Sequence, residues 1–165
     1  ITVHNSCHSL SLYMPIKENL YQFCEKYVQE RLLRIQQNIK QIQESLSSET
    51  KSSAGDKHET GRAMLQLERE KLGQQLDEAE KMAIILSRIS ITNKARTVVL
   101  GSLVTTSKST YFLAVSAGEF ESEDQRVFCI SGGTPIGQLL LGKSIGDVIS
   151  FNDQKIRIIK IEESF

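Results

Sequence analysis

The 165-residue chain lacks any charge-free run long enough to cross a bilayer. Its longest stretches without Asp, Glu, Lys or Arg, Ile1 to Ile16 and Val127 to Gly142, are 16 residues each and are broken by polar residues or glycine. The first has no basic n-region and no compact apolar core, so it does not read as a secretory signal. Net charge is also missing: 20 Lys plus Arg face 20 Asp plus Glu, leaving no global basic field to hold nucleic acid by counterion release. Cysteine is scarce, and Cys7, Cys24 and Cys129 are an odd number at wide spacings, which fits free thiols in a reducing compartment better than a disulfide or zinc framework. With 39% hydrophobic and 24% charged residues the chain is a globular one of one or two domains, expected to be cytoplasmic and free of membrane segments.

Glycine and proline are absent from Ile16 to Ala54, and only Gly55, Gly61 and Gly73 interrupt the run to Leu100, whereas seven of the ten glycines lie between Gly101 and Gly146. The first half is therefore expected to be helical and the second to be strands and turns. Leu32, Ile35, Ile39, Ile42 and Leu46 repeat at spacings of 3 and 4, with Ile16, Leu20, Phe23 and Tyr27 in a shifted register. Leu65, Leu72, Leu76, Ala79, Ala83 and Leu86 carry the return stripe, with Glu68 at the position the seam misses. Two such stripes bury each other best as an antiparallel coiled-coil hairpin, joined by the short polar segment from Ser47 to Gly55 and opened by Pro15 at a first helical turn. Each arm predicts a rod of roughly 45 Å with one narrow seam and almost no interior. Residues 1–13 read as an extension outside the fold, residues 14–91 as the hairpin with its tip near 47–61, and residues 95–165 as a second domain.

In that second domain Val98 to Thr105, Thr110 to Val115, Arg126 to Ile130, Asp147 to Phe151 and Lys155 to Ile161 read as strands, with Ile156, Ile158, Ile159 and Ile161 alternating in the last. Pro135 to Leu141 reads as a short helix closed by Gly142. The expected fold is α+β, a helical hairpin followed by a small domain of about 70 residues. Gly137 to Ser144 (GQLLLGKS) matches the phosphate-loop pattern letter for letter, yet Gln138, Leu139, Leu140 and Leu141 are helix formers, and a strand rather than a long helix follows Ser144. A phosphate-binding loop is therefore rejected.

At the hairpin tip stands Gly55-Asp56-Lys57-His58-Glu59. Asp56 with Glu59 three residues later fits a helix N-cap and its capping-box partner. It also admits two hard oxygen ligands one helical turn apart at the end of a rod, suited to a divalent cation, though the cap is the stronger reading of these residues alone; a metal site formed from Asp56, His58 and Glu59 is weakly supported without a second cluster. Cys24 and Cys129 read as core thiols, because neither has a basic neighbourhood favouring thiolate.

The segment Ile130-Ser131-Gly132-Gly133-Thr134-Pro135-Ile136 through Gly142-Lys143 to Asp147-Val148 resembles the I-S-x-x-S-P-[IL]-[AG]-x-x-L-[IL]-G-K-x-x-x-D-x-V segment of bacterial Gre-type transcript cleavage factors. The likeness spans nearly all of residues 16–162, and the G-D-x-x-E of that family's hairpin tip is matched by Gly55, Asp56 and Glu59. The resemblance implies an N-terminal coiled-coil hairpin followed by an FKBP-like domain. It implies RNA polymerase as partner, with Ser131, Gly132, Gly133, Thr134, Pro135 and Ile136 near the surface that binds the rim of the secondary channel. Asp56 and Glu59 would then act at the polymerase active centre, holding its second magnesium and orienting water for cleavage of backtracked RNA. So read, the chain is an accessory factor rather than an enzyme, monomeric, with no cofactor of its own and no independent sequence-specific DNA binding.

The sequence departs from that family after the motif, where Thr60-Gly61-Arg62-Ala63 replaces the usual Asn-Ala-Glu-Tyr. From Glu49 to Arg62 three acids (Glu49, Asp56, Glu59) balance three bases (Lys51, Lys57, Arg62), and a neutral tip attracts magnesium less well than an acidic one. The alternative expectation is thus a non-cleaving regulator of initiation or pausing on the same scaffold. A prolyl isomerase is disfavoured, because Tyr111, Phe112, Phe120, Phe128, Phe151 and Phe165 fall at expected core-strand, loop or terminal positions rather than around a pocket.

Overall fold

The computed structural model describes residues 16–49, 55–92 and 94–162, with the backbone alone at 49 and 56–58. The expectations for residues 1–13, Pro15 and the centre of the Ser47 to Gly55 connection fall outside the described residues. Helix α1 (Ile16–Glu49) and helix α2 (Asp56–Ser87) form the hairpin. They are followed by β1 (Leu103–Thr106), β2 (Thr110–Ala114), β3 (Gly118–Glu121), β4 (Arg126–Ser131), α3 (Pro135–Leu140), β5 (Val148–Phe151) and β6 (Gln154–Ile161). The fold is α+β: two long helices, then a six-stranded sheet in the order β3-β4-β2-β1-β6-β5. All neighbours are antiparallel except β2 and β4, which run parallel.

The helical stripes meet as their spacing requires. Ile35, Ile42, Leu72 and Ala79 are buried along the rod, with Leu32, Ile39, Leu46, Leu65 and Leu76 packed beside them. Glu68, at the missed seam position, is exposed. Helix α1 runs further toward the tip than the polar composition of residues 47–55 indicated, to Glu49, because Ser45 and Ser48 return their hydroxyls to the carbonyls of Gln41 and Glu44 and so tolerate a helical backbone. At the other end the rod is closed by the Tyr21 hydroxyl, which donates to the Leu86 carbonyl at 3.3 Å.

The sheet is covered on both faces, which explains its nearly continuous apolar runs. Leu103, Phe112, Ala114, Val127 and Cys129 pack under the base of the hairpin against Leu20, Cys24, Val28 and Leu86. Their neighbours in sequence, Val104 and Leu113 among them, point the other way, toward Ile136 and Leu140 of α3 and Ile149, Ile156, Ile158 and Ile161 of the last two strands.

Three strand expectations are corrected. Val98 to Ser102 is not a strand: Val98 is buried but bonds through its main chain to Gly142 and Lys143, with only a single bridge between Thr97 and Ser144. The segment Gly118–Glu121 has Phe120 as its one large apolar side chain and so carries no strand pattern; it becomes β3 by pairing with β4, and Phe120 meets Phe23 of α1 edge-on at 5.4 Å. In β6 the alternation breaks. Thr105 pairs with Lys160 and Thr106 with Ile158, so Ile159 is the extra residue of a bulge and stands exposed while Ile158 and Ile161 are both buried.

Candidate functional site

The first candidate region is the start of α2. The helix begins at Asp56, and the N-cap position is held by Gly55, which has no side chain to cap with. Gly55 has φ 155 and ψ 154, a backbone conformation that L side chains rarely adopt, so glycine is required there. Asp56 is thus the first helical residue rather than the N-cap, and the capping-box arrangement that its spacing to Glu59 allowed is not the one formed. Glu59 lies within the first turn and is exposed. A carboxylate in that turn also meets the positive end of the helix macrodipole. Asp56 and His58 are described by backbone only. Among the described residues no group of three or more His, Cys, Asp or Glu could hold a metal ion.

The second candidate region is the turn from β4 into α3. Thr134 is the N-cap of α3: its hydroxyl donates to the Ser131 carbonyl at 2.8 Å and accepts from the Gly137 amide at 3.1 Å. Pro135 occupies the first helical position, where its missing N–H costs nothing. The Thr134 amide also reaches the Ser131 carbonyl, at 3.2 Å, and the Gln138 side chain donates to the Gly133 carbonyl at 3.2 Å. Gly137 is indispensable to this turn: a Cβ there would stand 2.2 Å from the Ser131 carbonyl oxygen. Within the turn Gly133 and Pro135 are exposed, Ser131, Gly132 and Thr134 half-buried, and Ile136 buried against the sheet.

The same geometry disposes of the phosphate-loop pattern. Gly137, its first glycine, sits inside a helix with its amide already bonded to Thr134, and Gly142, at φ +77, lies just past the end of that helix, after the C-cap Leu141. Lys143 and Ser144 lead into a turn in which the Asp147 carboxylate accepts from the Ser144 amide at 2.8 Å. Asp147 of the resemblance segment therefore has a structural task.

The two regions are not brought together. Between Asp56 and the buried Leu86 at the hairpin base, α2 supplies about 45 Å of helix. The residues Ser131 to Ile136 end a strand on the sheet domain. Along the rod, a groove of about 530 Å³ is lined by polar side chains including Arg31, Arg34, Lys71 and Glu78, with Arg31 bridged to Glu78 at 3.4 Å. It contains neither Asp56 nor Glu59.

Sequence reading missed Lys17. It is buried at the start of α1, and burial lowers its ammonium below the ordinary lysine value of 10.5, with the nearby Glu162 carboxylate partly opposing that. Its signal was the lysine immediately beside an apolar stripe position, which sequence alone treats as solvated. Among the described residues no helix is long and apolar enough to cross a membrane.

No protein-family model matches the chain. No curated protein matches it. Three solved chains do. It is similar to a structure described as that of the transcription factor Gfh1, at 21% identity over 86% of this chain and 92% of that one, with a TM-score of 0.32.

Proposed function

We propose that this chain is a Gre-like transcription factor that binds RNA polymerase, with the sheet domain on the rim of the secondary channel and the hairpin reaching through it. Asp56 and Glu59 then assist the polymerase in cleaving backtracked RNA. The observation that carries this reading is the backbone position of residues 56 and 59: both belong to the first turn of α2, at the far end of a rod about 45 Å long, where Gly55 has already taken the capping role. A rod with a single narrow seam is a poor way to build a core and a good way to deliver two side chains into a deep channel. The built turn from Ser131 to Ile136 supports the same reading, because its main chain is fixed by Thr134 and Gly137 while Gly133 and Pro135 face solvent.

The donor chemistry fits an accessory role. Two carboxylates offer hard oxygen ligands but cannot complete a coordination shell, so Asp56 and Glu59 would share a magnesium ion that belongs to the polymerase. That ion, when bound, supplies Lewis-acid activation of water. The chain's own residues contribute position: the rod sets the reach, and the helical backbone sets residues 56 and 59 one turn apart. The chain holds no cofactor of its own in this reading, and the hydrolytic activity is the polymerase's.

A second reading is a regulator that occupies the channel without cleavage. It is favoured by one observation, the balance of three acids and three bases from Glu49 to Arg62. One experiment separates the two. The protein is added to a stalled, backtracked elongation complex with labelled RNA and magnesium, beside the Asp56→Ala, Glu59→Ala double variant. Short 3′ RNA fragments that need both carboxylates are the expected result. Absence of fragments, with retained competition against a cleavage factor for the channel, establishes the second reading; absence of both binding and fragments removes both.

A further inference from the structure

The core between the hairpin and the sheet contains one chemically reactive contact. Cys24 lies on α1 one turn from both Leu20 and Val28, on the face buried under the sheet, and Cys129 lies in β4 opposite Phe112 of β2 and Gly118 of β3. Both are free thiols, both belong to the same buried cluster, and they are separated by more than a hundred residues of sequence. Inside this cluster the Cys24 and Cys129 thiols interact with each other, and the main chain of Val115 interacts with the Cys24 sulfur as well. The remaining buried side chains of this cluster are aliphatic or aromatic.

We propose that Cys24 and Cys129 form an oxidisable latch between the hairpin base and the sheet, closed as a disulfide by a hydroperoxide. The surroundings give the two sulfurs unequal roles. The hydrogen bond from Cys129 lowers the pKa of Cys24 against the opposing effect of burial, and Val115 adds to that lowering. The same contact, together with burial, pushes Cys129 up, so it keeps its proton. Cys24 is the attacking thiolate: its sulfur bonds to the terminal oxygen of the hydroperoxide, the O–O bond breaks, and the alkoxide leaves as alcohol with the proton Cys24 gave up. The Cys129 sulfur then attacks the sulfenic acid at Cys24, the S–O bond breaks, and water leaves with the Cys129 proton. Two thiols are oxidised by two electrons to one disulfide, and the hydroperoxide is reduced to alcohol and water.

Burial sets the rate. Cys24 is 0% and Cys129 2% exposed, so the oxidant reaches them only when the hairpin base opens locally. Once closed, the bond joins α1 to β4 across a very long loop, the case in which a cross-link restricts the unfolded chain most. It also fixes the root of the rod on the sheet. The latch is independent of what the hairpin tip does, so it stands or falls apart from the proposed function.

The test uses the full chain with Cys7→Ser, which removes the third thiol and leaves the proposed pair intact. After treatment with hydrogen peroxide, free thiols are counted on the denatured protein, peptides are mapped without reduction, and thermal unfolding is followed with and without dithiothreitol. Loss of both thiols, a linked Cys24–Cys129 peptide and a Tm raised by about 5–10 °C and restored by reductant are expected. The proposal is overturned by oxygen adducts on Cys24 without a linked peptide. Linkage found only between chains overturns it too, as do thiols that survive in the folded protein at peroxide levels that oxidise the heat-unfolded chain.

Discussion

The rod and the sheet domain are built from the same aliphatic side chains but enclose them to different depths. Along the rod beyond its base, the best-buried leucine and isoleucines of the seam, Leu72, Ile35 and Ile42, keep 5–8% of their surface, while Phe112, Leu113, Val104 and Leu140 of the sheet domain keep none. Two helices touch along one stripe, so each seam side chain is open along the flanks; a sheet with hairpin on one face and α3 on the other closes completely. The difference teaches where each region is vulnerable. The rod is a repeat of modest contacts, any one of which can be weakened, and the sheet domain depends on a few close approaches that allow no substitute.

The sharpest way to break that contrast is Gly137→Ala. A methyl group 2.2 Å from the Ser131 carbonyl forces the β4-to-α3 turn apart, at a cost of about 3 kcal/mol or more. Denaturant unfolding measures it, and an unaltered midpoint would mean that the turn can shift freely. Next come matched deletions. Leu113→Ala in the sheet is expected to cost about 4 kcal/mol, and Leu72→Ala in the rod about 2, because the half-open seam relaxes around the loss. Equal losses in the two variants, read from the same unfolding curves, would remove the distinction drawn between the regions.

Lys17 tests the junction. Its folded pKa lies below 10.5, so the folded state carries the cost of a buried charge at neutral pH; between the folded value and 10.5 the unfolded chain binds the extra proton and stability rises with pH. Lys17→Met is therefore expected to stabilise by about 1 kcal/mol at pH 7, with the advantage shrinking as pH approaches 10.5. Glu162 would not be stranded, since Lys160 bridges it at 2.8 Å. Thermal melts of both proteins from pH 7 to 10 check the sign as well as the size. The smallest effect belongs to Gly73, exposed in the middle of α2, where an added methyl group would meet nothing within 4 Å. Gly73→Ala should stabilise by roughly 0.5–1 kcal/mol through helix propensity alone, measured by denaturant unfolding.

Much of this arrangement was legible in the sequence, for reasons that differ by region. The hairpin could be read because a helix repeats every few residues and a stripe such as Ile35, Ile39, Ile42 is a local pattern. The short helix α3 could be read because Thr134 and Pro135 are start signals and Gly142 lies just past its end. The tip motif was visible as well, but its geometry was not: spacing allowed Asp56 to be an N-cap, and the backbone gave that role to Gly55. β3 escaped because an acidic segment with one phenylalanine carries no alternation, and only pairing with β4 makes it a strand. Ile159 escaped because a bulge depends on how β6 meets β1, which no local pattern records.

The sequence by itself determined two long helices, their seam, the paired carboxylates at the rod's end and the strand-rich character of the second half. Each of these follows from short-range periods and turn chemistry, which act between residues a few positions apart. Only the tertiary structure decided which face of the sheet receives the hairpin, that Phe23 meets Phe120, that Lys17 is buried and that Cys24 and Cys129 share one buried cluster. Those contacts join residues far apart in the chain, and they exist only once strand order and register have brought them to one place.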